Sequence, residues 1–266
     1  MKRSAHQSIP IHAAPPAPPT AETSAKAVVP FPYRDYVAAK ASLTAALGGS
    51  AFYALVTGPS GTGKTSLARD VSSGMDRRAH QFLYLSSPRV SLLSIVRYFA
   101  QVLRVTPRRS SLETIKVIAD QLQAQPAQLV AWIDEAAAVP ADTMSELRTL
   151  AEFNHEVPQI FSIVLSGPPE LKSLLDLPAL FPLKRRISVR CPLSGLRQDE
   201  LEPFLVHRFG AGDARRVPVG LRDELFERTQ GVPALVDRVV RAALERTGKG
   251  AVGDESLREA LDVSGL

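Results

Sequence analysis

Apolar positions along this chain alternate between two periods. "AFYALVT" (51–57), "QFLYLS" (81–86), "QLVAWIDE" (128–135) and "QIFSIVLSG" (159–167) are short, dense apolar runs. Runs of that length, rich in β-branched and aromatic residues, predict buried strands. "RRISVRCPL" (185–193) predicts a fifth, shorter strand. Between them, "YRDYVAAKASLTAAL" (33–47), "TSLARDVSSGM" (65–75), "SLLSIVRYFAQVL" (91–103), "SLETIKVIADQLQ" (111–123) and "ADTMSELRTLAEFN" (141–154) carry helical spacing. Strands alternating with helices predict an α/β fold with a parallel sheet covered on both faces. After "LSGL" (193–196) only helical patterns remain, at 197–209, 221–229 and 232–247, with a further candidate at 254–263. The expected division is an α/β core over 30–195 and a small helical domain over 196–266.

The first 29 residues break this pattern. "HAAPPAPPTAETSAKA" is rich in Pro and Ala and has no apolar periodicity, so it predicts a disordered tail. The start of the chain, "MKRSAHQSIPIHAAPPAPPT", lacks the apolar centre of a signal peptide. No apolar run approaches the ~20 residues that a membrane span needs. These features predict a cytoplasmic protein with no membrane partner. The single cysteine, Cys191, excludes an internal disulfide and is expected to be a small buried side chain. The net charge of +5 permits contact with nucleic acid without demonstrating it.

The chemistry concentrates in "GPSGTGKTS" (58–66), which satisfies G-x-x-x-x-G-K-[ST] between a predicted strand and a predicted helix. Its glycines allow consecutive backbone N–H groups to face inward and cradle phosphate oxygens. Gly58, Pro59, Ser60, Gly61, Thr62, Gly63, Lys64, Thr65 and Ser66 are therefore the expected ATP-phosphate residues. Lys64 is placed to reach the outer phosphates, and the Thr65 hydroxyl to hold Mg²⁺. "LVAWIDE" ends in Asp134 and Glu135, about 70 residues after the loop. Asp134 is the second expected Mg²⁺ residue, through water, and Glu135 the base for an attacking water. Ser166, at the tip of the next strand, is a candidate to orient that water, or else a strand-end hydroxyl that caps a turn. In "PLKRRISVR" (182–190), an arginine at a subunit edge could reach a neighbouring subunit's γ-phosphate. Arg186 is the first choice, then Arg185, then Lys184. Tyr33 and Arg34, in "FPYRDY", are candidates for contact with adenine or for packing at the helix start.

Phosphate loop, Asp-Glu strand, polar strand tip, basic box and helical lid, in this order, resemble the AAA+ ATPases over roughly residues 30–250. "WIDEAAAVPADTMSELRTL", "VLSGPPELKSLL" and "GVPALVDRVVRAAL" are similar to segments of ExeA-like ATPases and of transposon target-selection ATPases of TniB and TnsC type. The resemblance implies an AAA+ P-loop core with a five-stranded sheet and a C-terminal helical lid. It implies ATP and Mg²⁺ as cofactors, and a homo-oligomer, ring or helical filament, that assembles on duplex DNA and recruits a transposase. Hydrolysis is then slow alone and used for disassembly. Arg89, Arg97, Arg104, Arg108 and Arg109 are the candidate phosphate contacts on DNA, or ordinary solvated arginines. One alternative is a secretion or envelope-assembly ATPase of ExeA type. Such relatives continue into a membrane helix and a periplasmic module, neither of which is expected in a chain that stops at Leu266. Another is a nucleotide switch with little hydrolysis. It is motivated by Ala234, where relatives carry an arginine in the lid that reads the γ-phosphate. Arg238, one helical turn later, is a candidate substitute. Ala137 stands where relatives often place histidine.

Overall fold

The computed structural model describes residues 29–49, 52–86, 91–124, 127–150, 161–248 and 250–265. The expected tail lies, up to residue 28, outside the described residues. Five strands, β1 (Tyr53–Thr57), β2 (His80–Leu85), β3 (Gln128–Ile133), β4 (Phe161–Gly167) and β5 (Ile187–Pro192), form one parallel sheet in the order β2-β3-β4-β1-β5. The three central strands are buried throughout, which is why they read as unbroken apolar runs. β5 alternates buried and exposed positions because it is an edge.

Alternation along the strands feeds two cores. Ala54, Val56, Val130, Trp132 and Val164 face one way, with α1 (Arg34–Leu47) and α2 (Lys64–Ser73) packed over them. Tyr53, Leu55, Leu129, Ala131, Ile133 and Leu165 face the other way, under α3 (Leu92–Val102) and α4 (Ser111–Ala124). Residues 136–150 and 168–184 close this second core. They hold a 3₁₀ turn at Ala136–Ala138, α5 (Ala141–Glu146), α6 (Glu170–Leu174), a 3₁₀ turn at Pro178–Leu180 and α7 (Phe181–Lys184). The helix expected over 141–154 shows its first part as α5, and residues 151–154 lie outside the described residues. The turns at 170–184 were not legible as helices because Pro169, Pro178 and Pro182 divide them into pieces too short to carry a period.

Beyond β5 the chain forms only helices: α8 (Gln198–Arg215), α9 (Val219–Thr229), α10 (Pro233–Thr247) and α11 (Asp254–Val263). α8 runs past the expected end at 209, with a break at Gly210, whose φ of 82° and ψ of 161° lie outside helical space. Leu201, Phe204, Val236 and Leu257 of these helices join the same core as Tyr36, Leu43 and Trp132. The helical part therefore sits over the α1 face of the sheet. Two glycines make its joint. Gly195 has φ 112° and Gly231 φ 66°, and the Leu196 N–H donates to the Gly231 carbonyl at 2.7 Å. Among the described residues, no helix is long and apolar enough to cross a membrane.

Candidate functional site

The buried strand β1 delivers Gly58 to the C-terminal edge of the sheet. There the Gly58 N–H donates to the Gly167 carbonyl at the end of β4 (3.2 Å). The Leu193 N–H, leaving β5, donates to the Thr57 carbonyl (2.7 Å). A side chain at position 58 would place its Cβ 2.3 Å from the Leu193 carbonyl oxygen, so the first glycine of the loop is fixed by packing. Gly61 and Gly63 take φ of 90° and 94°, the left-handed region that glycine tolerates. Gly63 is also the N-cap of α2, so the loop opens onto a helix N-terminus, where N–H groups favour anions. Lys64 is nearly buried and folds over the loop. Its Nζ donates to the carbonyls of Gly58 (2.7 Å) and Pro59 (2.9 Å). Burial pushes this ammonium below its ordinary pKa, against the opposing pull of Asp134 and Glu135. Thr62 is buried, with its Oγ1 donating to the Pro59 carbonyl, whereas Ser60 is exposed at the loop tip.

Asp134 follows β3 and is seated by its own N–H, which donates to the Leu85 carbonyl of β2 (2.8 Å). Its carboxylate accepts four hydrogen bonds. Oδ1 takes the Ser166 hydroxyl (2.6 Å) and the Glu135 N–H (3.0 Å). Oδ2 takes the Thr65 hydroxyl (3.1 Å) and the Tyr84 phenol. Burial acts to raise this carboxyl, but the hydrogen bonds, Ser166 first, outweigh it and hold the group below the ordinary carboxylate range. The contact between Thr65 and Asp134 brings together the two expected metal residues from elements 69 positions apart. The Thr65 oxygen keeps its lone pairs while it donates its proton to Asp134, a donor set of hard oxygens suited to Mg²⁺.

Glu135 is exposed beside this network at φ 52°, ψ 37°. Non-glycine residues seldom adopt that conformation, and it tends to appear at functional positions. Ser166 has a different place from a water-orienting group at the site's surface. It is fully buried, accepts from Trp132 Nε1 (2.7 Å) and donates to Asp134, so it fixes the carboxylate rather than a solvent molecule. Tyr84 was missed by sequence reasoning. It is the penultimate residue of β2, and it reaches Asp134 only because β2 lies next to β3, with Tyr84 in register with Trp132. Burial first, then the bond to Asp134, pushes its phenol up to about 12.

A cavity of about 490 Å³ lies between the loop and the helical part. Gly61, Thr62 and Gly63 form one wall, Tyr33 and Tyr36 another, and Phe204, His207 and Ala234 the roof. Its rim is tied across the two halves of the chain. His207 Nε2 lies 3.0 Å from the Val29 carbonyl, the Arg34 N–H donates to Glu200, and the Ser194 N–H donates to Asp35. Tyr33 lines the cavity with its hydroxyl donated to the Thr62 carbonyl (2.7 Å). Arg34 does not line it; its side chain is exposed. Ala234 touches the loop directly, its N–H donating to the Gly61 carbonyl (3.3 Å). Arg238 is not its substitute. Its Nη2 donates to the Ser264 carbonyl (3.0 Å), and it is not among the residues that line the cavity. Ala137 follows the 3₁₀ turn's start and packs, half-buried, on the second core.

The basic box lies at the other end of the sheet. Arg185 and Arg186 precede Ile187, which pairs with Tyr53 at the start of β1. The phosphate loop leaves the far end of that strand, roughly 15 Å away at ~3.3 Å per residue. Arg185 is exposed, Arg186 Nη1 donates to the Pro182 carbonyl (3.0 Å), and Lys184 pairs with Asp176. Arg97, Arg104, Arg108 and Arg109 are exposed on and after α3, and Arg89 lies outside the described residues.

A phosphate loop at the end of β1, an Asp-Glu pair at the end of β3, the order β2-β3-β4-β1-β5 and a helical part over the loop make an α/β P-loop fold of AAA type. Residues 50–175 match the family described as "AAA domain". The chain is 27% identical over 227 residues to general secretion pathway protein A of Aeromonas hydrophila, covering 80% of this chain. It spans only 41% of that relative's length. The fold is shared with Cdc6p of Pyrobaculum aerophilum (TM-score 0.65, 16% identity, 88% of this chain and 68% of that one). It is also shared with the Aeropyrum pernix ORC1 protein in complex with DNA (TM-score 0.58, 17% identity, 89% and 66%). A Thermotoga maritima RuvB variant matches as well (TM-score 0.55, 17% identity, 86% and 66%).

Proposed function

We propose that this chain hydrolyses Mg²⁺-ATP in a site completed by a second copy, and that the bound nucleotide holds copies together. The observation that carries the reading is the Thr65–Asp134 contact beneath a glycine loop whose lysine is already folded over it. On this reading residues 30–195 are the nucleotide-binding core and 196–266 the lid. Gly58 to Ser66 bind the phosphates, with Lys64 turning from the loop carbonyls to phosphate oxygens. Thr65 and Asp134 hold Mg²⁺, which supplies charge neutralisation at the transferring phosphoryl group. Glu135 takes the proton from the attacking water. Tyr33 forms the wall against the base. Arg186, with Arg185 beside it, sits too far from its own loop and serves a neighbour's.

The further reading is an ATP-dependent assembly on duplex DNA that recruits a transposase. It is supported by the exposed arginines at 97, 104, 108 and 109 and by the fold shared with a protein whose structure is in complex with DNA. The relative named for general secretion favours a second reading, an assembly ATPase of the cell envelope. Electron microscopy with duplex DNA and a non-hydrolysable ATP analogue separates the two. Filaments or stacked rings only with DNA and analogue together support the first. Particles indifferent to DNA under both conditions overturn it. Lys64→Ala is expected to lose nucleotide binding and assembly together. Arg186→Ala is expected to keep binding within about threefold and lose hydrolysis by at least ~10³-fold, the scale of an arginine finger. Normal assembly of Lys64→Ala contradicts the coupling.

A further inference from the structure

The Asp134 carboxylate has no acceptor site to spare. Two oxygens offer about four lone-pair positions. Ser166 and the Glu135 N–H occupy those of Oδ1, and Thr65 and Tyr84 those of Oδ2. If Asp134 engages Mg²⁺ through a water, as the sequence leads one to expect, it must accept from that water, and one protein donor must leave. Three of the four are held in place. The Ser166 hydroxyl is fully buried and bridged to Trp132. The Glu135 N–H is backbone, one residue away. Thr65 is fixed at the first turn of α2, beside the loop that it serves. Of the two side-chain donors that are not buried, Thr65 is itself an expected metal residue and stays beside Asp134, whereas Tyr84 is half-exposed on β2, an edge of the sheet.

We propose that Tyr84 is a latch on the metal site: it caps Asp134 Oδ2 in the nucleotide-free protein and is displaced when Mg²⁺-nucleotide loads. Tyr84 is then a positioning residue that touches neither phosphate nor the attacking water. It keeps the carboxylate satisfied and in place while the site is empty, and it raises the Mg²⁺ concentration needed to fill it. A buried carboxylate that lacked this donor would carry an unmet desolvation cost in the empty state. The same chain of bonds offers an internal reporter. Trp132, the single tryptophan of the sequence, donates to Ser166, which donates to the carboxylate that the latch covers.

The test uses the full chain and a fluorescent non-hydrolysable ATP analogue, with Mg²⁺ as the titrant. Tyr84→Phe is expected to bind the analogue as wild type without Mg²⁺. Its midpoint for Mg²⁺-dependent tightening is expected to fall about 10- to 100-fold, the scale of one hydrogen bond to a charged group. Tyr84→Leu, which removes the ring as well, is expected to move the midpoint the same way. In wild type, Trp132 emission should change with Mg²⁺ at the same midpoint as the tightening. An unchanged midpoint in Tyr84→Phe overturns the latch, and a raised midpoint shows instead that Tyr84 helps to hold the metal. The inference rests on the proposed site, and Lys64→Ala separates the two failures. If Lys64→Ala binds the analogue like wild type, the phosphate-loop reading fails. If it does not bind, but Tyr84→Phe titrates like wild type, only the latch fails.

Discussion

Cys191 shows how a single residue's chemistry follows from its place. It sits in β5 against α1, 3% exposed, and burial pushes its thiol up to about 11. At pH 8 a thiol with that pKa is ionised in about one molecule per thousand, and the thiolate is the reactive form. Alkylation at pH 8 is expected to run at least ~100-fold slower in the folded protein than in urea. Equal rates, followed by absorbance of a thiol-reactive dye, would contradict the burial. Such a residue was legible from the sequence because a lone cysteine in an apolar strand has few other places to go. Asp134 was legible too, as the first carboxylate after an apolar run, but its partners were not. Ser166 and Tyr84 belong to strands that are remote in sequence, and only the order β2-β3-β4 brings both to the same carboxylate.

At the scale of elements, the joint between sheet and lid depends on two glycines rather than on a helix. A Cβ at Gly231 would lie 2.4 Å from the Leu196 carbonyl oxygen, and one at Gly195 would lie 2.8 Å from that of Gly231. Both positions also require positive φ. Gly231→Ala is expected to lose at least ~2 kcal/mol, from left-handed strain and from a clash with backbone that cannot turn aside. That corresponds to a fall in Tm of roughly 4–8 °C. Gly212→Ala, in the last turns of α8 with nothing within 4 Å of its Cβ, should be neutral or gain up to about 1 kcal/mol. Equal thermal shifts for the two would remove the joint's special role. The helices at 198–263 were readable because each carries an apolar stripe. The break at Gly210 was not, because glycine marks a helix end and a kink alike.

At the scale of the whole molecule, the sheet separates the chemistry. The loop, Asp134 and Glu135 lie at the C-terminal edge, and Arg185 and Arg186 at the opposite edge of the same sheet, beside an edge strand. One chain cannot bring them together without unfolding β5, so the proposed catalytic set needs two copies. Glu135→Gln and Arg186→Ala are each expected to lose hydrolysis. Mixed in equal amounts, they are expected to regain a measurable share, because an Arg186→Ala loop can face the Arg186 of a Glu135→Gln neighbour. A mixture no more active than its parts, in a phosphate-release assay, would place the arginine's role within its own chain or outside catalysis.

The sequence by itself determined the strands, most of the helices and the phosphate loop, because each is written in a local pattern. Apolar runs give strands, 3.6-residue stripes give helices, and a glycine loop between them gives an anion cradle. It also placed Asp134 and Glu135, since a polar pair that ends a buried run must emerge at a sheet edge. Strand order, by contrast, is a matter of which apolar faces pack best, and no local pattern records it. That order decided that Ser166 and Tyr84 would hold Asp134, and the packing of the helices decided that Arg238 would bond to the Ser264 carbonyl. The strands also set Arg186 and the loop at opposite ends of one sheet. Contacts between residues 30 to 170 positions apart are fixed by packing, and packing exists only in three dimensions.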